Sequence, residues 1–456
     1  MIRLVGCRDN FVKKFKLKVK TNPGILTVTI LASSFMMNAQ NKTPENLNLS
    51  QLKQKVAIHS KEIKIAEYQL ENKLYHVQDA KNAQLPNLNI TASVDKASNF
   101  LIYDQGLFNH PSKHEVIHTL YATNTNMYLS LYEGLRLKNT VKLKQIEADL
   151  SKELLLEKEA AVQLNAILLF LDLYLQNEWE LLMKADIKEK EHQLSEIKNF
   201  HELGVVLQSD VLRAELELSK RKMTLIEIEN QQLVVNQKLN VLIGNPDDQL
   251  VQPEVEIQYL PKYENFDEAL NEGKHKAYAE KISHWHVEEA EKNLDLIKAN
   301  NSIKVGLTGS FQFSNPQIFL YPYNDSWYNL GLIGVKASYS FSELYKNKNK
   351  KAAAKIAIEE AHKHHEKISD DVRTKIYQDY LALDESEKYV TIYKLNETYA
   401  VENARILKDA YFNQTSLITD LLDADVLVLK SKFELKQAQI NVFKNYYKLQ
   451  YSKGTL

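Results

Sequence analysis

The chain has 456 residues with 12 glycines and 9 prolines, about 2.6% and 2.0% against usual levels near 7% and 5%. That is too little turn chemistry for the three globular domains its length would suggest at roughly 150 residues each. At 44% hydrophobic and 26% charged residues the chain is foldable, which excludes wholesale disorder, and long helices account best for the missing turns. Lys+Arg 58 against Asp+Glu 59 gives a net charge of -1. No cationic field of the kind that drives non-specific nucleic-acid binding is present, so nucleic acid is not expected as a partner.

In chain order, the first feature is a basic stretch from Lys13 to Lys20, an apolar run from Ile25 to Met37 and small residues around Ala39. The run is shorter than the about 20 residues a spanning helix needs and reads as a signal peptide over 1–40. Leu4-Val5-Gly6-Cys7 looks like a lipoprotein acylation motif but precedes the apolar run. Cys7 is the single cysteine, so a chain cleaved after it has no disulfide and no thiol ligand or nucleophile.

Period-two alternation follows. Leu88, Ile90, Ala92 and Val94 alternate with Asn89, Thr91, Ser93 and Asp95, and Met127, Leu129 and Leu131 alternate with Asn126, Tyr128 and Ser130. A turn-rich segment, Asp104 to Lys113, joins the two strands. Leu137 to His201 then runs about 65 residues without a breaker, about 100 Å as helix, with Leu143, Ile146, Leu150, Leu154, Ala161, Leu164 and Leu168 spaced as a coiled-coil seam. A break at Glu202 to Ser209 leads into a second helical tract, Asp210 to Ile243.

The same order recurs about 210 residues on. Strands are predicted from Ile303 to Ser314 and from Ile333 to Phe341, then a long helix from Leu344 to Tyr411, a break at Phe412 to Thr419 and a helix from Asp420 to Leu449. Asp210-Val211-Leu212-Arg213-Ala214 echoes Asp420-Leu421-Leu422-Asp423-Ala424. After the signal peptide the chain therefore divides into two structural repeats, 41–250 and 251–456, each of helix, two strands and a long helical hairpin.

Aromatic residues cluster near the strand ends: Phe100, Tyr103, Tyr121, Phe311, Phe313, Phe319, Tyr321, Tyr323, Trp327 and Tyr328. From pattern alone, a half-buried sheet in a soluble domain and outer-membrane strands with an aromatic girdle both fit. If the strands span a membrane, about four are too few to close a barrel and several chains must share one.

Six segments in fixed order carry a more specific likeness: Leu85-Pro86-Asn87-Leu88, Leu131-Tyr132-Glu133-Gly134, Gly204 through Ala214, Leu239-Asn240-Val241-Leu242-Ile243-Gly244, Ile418 through Ala424, and Gly454-Thr455-Leu456. In their order and duplication the chain resembles the TolC-type family of outer-membrane efflux channels. The resemblance implies a mainly α fold with a β-barrel portion: duplicated long helical hairpins forming a coiled-coil tunnel, with four strands per chain in a trimeric transmembrane barrel. It also implies a homotrimer in the outer membrane, contacting its lipid, with the tunnel in the periplasm. The partners implied are a periplasmic adaptor (membrane fusion) protein and an inner-membrane transporter. A soluble periplasmic coiled-coil adaptor is the alternative; the duplication and the low glycine count oppose it.

By the same resemblance, Asp420 and Asp423 stand where the family gates its tunnel, with Tyr411 where a tyrosine holds the closed state. Three-fold symmetry would make each aspartate a ring of like charges that attracts cations. Helix capping is the alternative for Asp420 and the favoured reading for Asp210. The hairpin tips, Gly204, Val205, Val206 and Leu207 in the first repeat and Asn413, Gln414, Thr415 and Ser416 in the second, are the expected adaptor contacts. Gln414 stands where Gly204 does, so Asn413 is expected to take the left-handed conformation instead, and Ser416 replaces a basic residue that some members carry.

No enzymatic activity, cofactor or metal is expected. His362, His364 and His365 read as a solvated helix face, His284 and His286 point to different faces of a helix, and His201-Glu202 lacks the second histidine of a zincin motif. Phosphate loops and nucleophile elbows are absent from the sequence.

Overall fold

The computed structural model describes residues 44–255, 264–318 and 324–456. The expected signal peptide, Cys7, and Phe319, Tyr321 and Tyr323 lie outside the described residues.

The chain opens with β1 (Glu45–Leu47), α1 (Leu49–His59) and α2 (Lys61–Asn82). Where one helix was expected there are two, because Ser60 turns to an extended conformation and its hydroxyl accepts from the Ile63 N–H. Next come β2 (Asn87–Lys96), a short hairpin of β3 (Phe100–Ile102) and β4 (Ser112–His114), and β5 (Thr119–Glu133). The first hairpin is α3 (Arg136–Glu202) and α4 (Gln208–Ile243). The second half runs β6 (Val251–Pro253), α5 (Phe266–Lys276), α6 (Tyr278–Ala299), β7 (Lys304–Asn315), β8 (Tyr328–Ser338), α7 (Ser342–Phe412) and α8 (Ile418–Lys453).

The long helices stay continuous because good helix formers fill them and no proline interrupts them. Shorter helices pack along each in succession. Lys73 to Glu147 and Lys158 to Glu62 tie α2 antiparallel to the first half of α3, and Lys198 to Glu215 and Arg221 to Asp186 tie α4 to its last third. Between these regions Leu52 and Val56 of α1, Ile167, Phe170 and Leu171 of α3, Leu239 and Ile243 of α4, and Ile440 and Phe443 of α8 form the largest apolar core. β1 and β6 pair in parallel, Glu45 opposite Val251, so the openings of the two halves meet at this level.

The four longer strands form one antiparallel sheet in the order β2-β5-β7-β8. Residues directly opposite share a face, and the register puts Leu88, Met127, Gly309 and Ile333 in one row and Leu129, Leu307 and Val335 in another. Ile90, Val94, Phe311 and Phe313 join this apolar face. Asn89, Thr91, Asn124, Asn126, Thr308, Ser310 and Gln312 lie on the opposite, polar face, together with Leu330 and Leu332. At Gly306 the Tyr128 ring lies where a Cβ would sit, 2.5 Å from its nearest carbon, so glycine there lets the ring cross the neighbouring strand. Among the described residues neither face of β8 is covered: Ile333 is 79% and Val335 68% exposed on the apolar face, and Leu330 54% and Leu332 61% on the other. At the end of the sheet away from the helices, Trp327 stacks on Phe313 at 4.9 Å between centroids, with Tyr121 6.0 Å away.

Three strand boundaries differ from expectation, the first being the start of β8 at Tyr328 where Ile333 was expected. β5 begins at Thr119 although Thr119 to Asn126 shows little apolar alternation, because pairing with both β2 and β7 satisfies its backbone. β8 ends at Ser338, so Tyr339 and Phe341 fall in the turn into α7 and Phe341 does not close a strand as Tyr132 does. A bulge between Ser130 and Tyr132 removes Leu131 from the alternation.

Candidate tunnel gate and hairpin tips

The two hairpin tips repeat one hydrogen-bond pattern. After α3, the Gly204 N–H donates to His201 O (2.9 Å) and the Val205 N–H to Phe200 O (2.8 Å); after α7, the Gln414 N–H donates to Tyr411 O (2.9 Å) and the Thr415 N–H to Ala410 O (2.9 Å). This closure of a helix C-terminus needs a left-handed residue. Gly204 supplies it at φ 72° and Gln414 at φ 62°, whereas Asn413 stays at φ -91°. The expectation for Asn413 is therefore corrected. The turn fixes which position must be left-handed, and it is Gln414, at a cost of about 1 kcal/mol for a residue with a Cβ. Asn413 serves otherwise, donating from Nδ2 to Asp409 O at 2.8 Å.

The tips pack side by side. Ile197, Val211 and Ala214 meet Tyr411, Ile418, Leu421 and Leu422 in a small core, with the Phe200 and Phe412 rings 5.5 Å apart. Tyr411 is buried here and its hydroxyl has no hydrogen-bond partner among the described residues. Burial, with a smaller contribution from the charge of Asp210, pushes its pKa up to about 12.

Asp420 and Asp423 are three apart on α8, on the face opposite buried Leu421, Leu422 and Asp425, and both are exposed. Their surroundings differ. The Asp420 carboxylate accepts from the Ser416 hydroxyl (3.0 Å) and the Leu417 N–H (3.3 Å), so it bonds back to the residue at the start of its helix. Asp423 has no hydrogen bond or ion pair among the described residues. Asp210 holds the equivalent helix position, but its carboxylate takes only the Ser209 hydroxyl, at 3.4 Å. Capping thus fits Asp420 and not Asp210, the reverse of the sequence-based weighting. Exposed Leu203, Leu207 (71%) and Leu417 (69%) surround the tip residues Val205, Val206, Thr415 and Ser416.

Sequence reasoning missed a buried polar cluster just beyond Asp420 and Asp423 along α8. Lys190, Gln193 and Asp425 bridge α3 to α8, and beside them the Arg221 Nε donates to Asp186 Oδ2 at 2.6 Å. Burial raises the Asp186 pKa, against the opposing pull of Arg221. The available signal was Lys190 in line with Met183, Ile187, Leu194 and Ile197, a charge in a seam position where an apolar residue is expected.

No family model and no curated protein sequence matches the chain. Solved structures do. VceC, an outer-membrane protein of Vibrio cholerae, matches with a TM-score of 0.73 at 13% identity, over 89% of this chain and 96% of its own. CusC, described for its transmembrane channel formation, matches at 0.75 and 11% identity over 89% and 92%. The MtrE outer-membrane channel of Neisseria gonorrhoeae, in its open state, matches at 0.70 and 15% identity over 89% and 88%. This chain has the fold of the outer-membrane channels. The long paired helices and the four-stranded sheet of this channel fold are thereby accounted for in one architecture.

Proposed function

We propose that the protein is the protomer of an outer-membrane efflux channel, three copies of which close one β-barrel and one helical tunnel. The observation that carries this reading is the sheet. It has four strands and, among the described residues, both edge strands β2 and β8 are unpaired on their outer sides and nothing covers the apolar face. In water such a sheet is an aggregation hazard; in a ring of copies, β8 of one meets β2 of the next antiparallel and every edge disappears, leaving the apolar face for lipid. The helices support the same ring. Leu212, Leu216, Met223, Ile226 and Leu233 form an exposed apolar stripe on α4, and Ile392, Leu395, Tyr399 and Ile406 form another on α7, as a tunnel wall of neighbouring copies requires.

In this reading conduction is passive and energy comes from an inner-membrane transporter, joined through a periplasmic adaptor that docks on the exposed tips at 204–207 and 413–416. Asp420 and Asp423 act as the gate. The two-repeat organisation, 41–250 and 251–456, belongs to the same proposal, supported by helices of matched length: 11 residues in α1 and α5, 22 in α2 and α6, 36 in α4 and α8. The uncovered apolar face argues against the soluble adaptor alternative. The test is fractionation followed by native mass measurement in detergent: outer-membrane recovery as three chains is expected, and a folded monomer in the soluble periplasm overturns the proposal.

A further inference from the structure

A groove of about 630 Å³ lies away from the tips, between α5 and α6 on one side and α7 on the other. Histidines that the sequence places on unrelated solvated faces meet there: the His284 and His365 ring centroids are 6.3 Å apart. The floor is committed to internal bonds. The Ser283 hydroxyl donates its one proton to Glu280 O (2.9 Å), so its oxygen accepts from His365 Nδ1 (2.7 Å). The buried Glu280 carboxylate in turn accepts from the Ser369 hydroxyl at 2.6 Å.

The rim is not committed. Lys274, His275 and Arg373 line the groove and have no hydrogen bond or ion pair from their side chains among the described residues. Lys281 reaches only Glu153, at 3.7 Å. Three permanent cations thus face the groove against the carboxylates of Asp370 and the buried Glu280. A metal ion does not suit this rim, since the ammonium and guanidinium groups repel it and no three His, Asp or Glu side chains converge on a metal position among the described residues. Unpaired donors on α5 and α7, with Lys281 of α6 held only by the 3.7 Å pair to Glu153, around a space wider than one ion suit an oxyanion with more than one charge, which each cation would bind by a charge-assisted hydrogen bond.

We propose that this groove is a binding site for a small multivalent oxyanion, phosphate or carboxylate in chemistry, held by Lys274, Lys281 and Arg373. The site stands independently of the channel reading.

Isothermal titration of the assembled, detergent-solubilised protein with pyrophosphate and, separately, citrate tests it and distinguishes the two sources of the anion. One site per chain is expected for at least one of them, weakening as NaCl is added. Arg373→Gln and Lys274→Gln should each weaken binding roughly three- to ten-fold, whereas Lys394→Gln, an exposed lysine farther along α7, should bind as the parent does. Lys274 is an exposed side chain that supports no packing, so its variant remains informative if the Arg373 variant misfolds. Binding of neither anion, equal binding by the parent and both groove variants, or uptake of zinc without uptake of either anion would overturn the proposal.

Discussion

Lys190 on α3 and Asp425 on α8 form a buried ion pair, Nζ to Oδ1 2.7 Å, that joins the first helical hairpin to the second. Gln193 completes it, accepting from Lys190 Nζ (2.8 Å) and donating to Asp425 Oδ2 (3.1 Å). Both charged side chains are only 9% exposed, so each depends on the other for the solvation that burial removes. Lys190→Met should therefore destabilise the protein by about 3–5 kcal/mol, because it leaves the Asp425 charge buried and unpaired, while Lys190→Met with Asp425→Leu should recover most of the loss. Denaturant titration followed by circular dichroism reads the difference. A single variant as stable as the parent would mean that water already reaches the pair.

The strand faces can be tested by charge. Leu129 and Leu307 are directly opposite on the apolar face, and Thr308 is on the polar one. Leu129→Lys or Leu307→Lys should cost about 2–4 kcal/mol if the row lies near the bilayer midplane. Thr308→Lys loses only a hydroxyl contact to Gly334 O at 3.2 Å and should assemble at near-parent yield. Equal trimer yields for all three variants would place the sheet faces the other way or outside lipid.

Gln414→Gly should stabilise the second tip, since a left-handed φ costs glycine nothing and costs glutamine about 1 kcal/mol. The greater freedom of glycine in the unfolded chain offsets part of this, so a net gain of a few tenths of a kcal/mol is expected. The matching change Gly204→Gln, at φ 72°, should destabilise the first tip. Hydrogen exchange of the tip amides measures both; a reversal of either effect would refute the equivalence of the two turns.

Of the proposed gate residues, Asp423 is the cleaner probe because its carboxylate has no partner among the described residues, whereas Asp420 takes the Leu417 N–H and the Ser416 hydroxyl. Asp423→Asn should reduce cation selectivity and block by multivalent cations in planar-bilayer recordings while leaving assembly unchanged. Asp420→Asn retains an oxygen that can accept the Leu417 N–H, so any stability loss should stay within about 1 kcal/mol. Unaltered cation block in the double variant would leave the pair without a gating role.

By itself the sequence determined the four longer strands, the two long helical hairpins and their order, but not the short strands or the split of each leading helix into two. A seam at 3.5-residue spacing, alternation at period two, and turn residues between them are local signals, and the helices at 136–202, 208–243, 342–412 and 418–453 fall within a few residues of where those signals place them. Only the tertiary structure decided what depends on partners distant in the chain. It joined β5 to β7 across the two halves, extending β5 back to Thr119. It selected Gln414 over Asn413 for the left-handed turn, closed a buried pair between Lys190 and Asp425, and turned His365 inward onto Ser283. In each case the deciding energy is a hydrogen bond, ion pair or desolvation involving a second segment, and no local pattern in the first segment encodes where that second segment will lie.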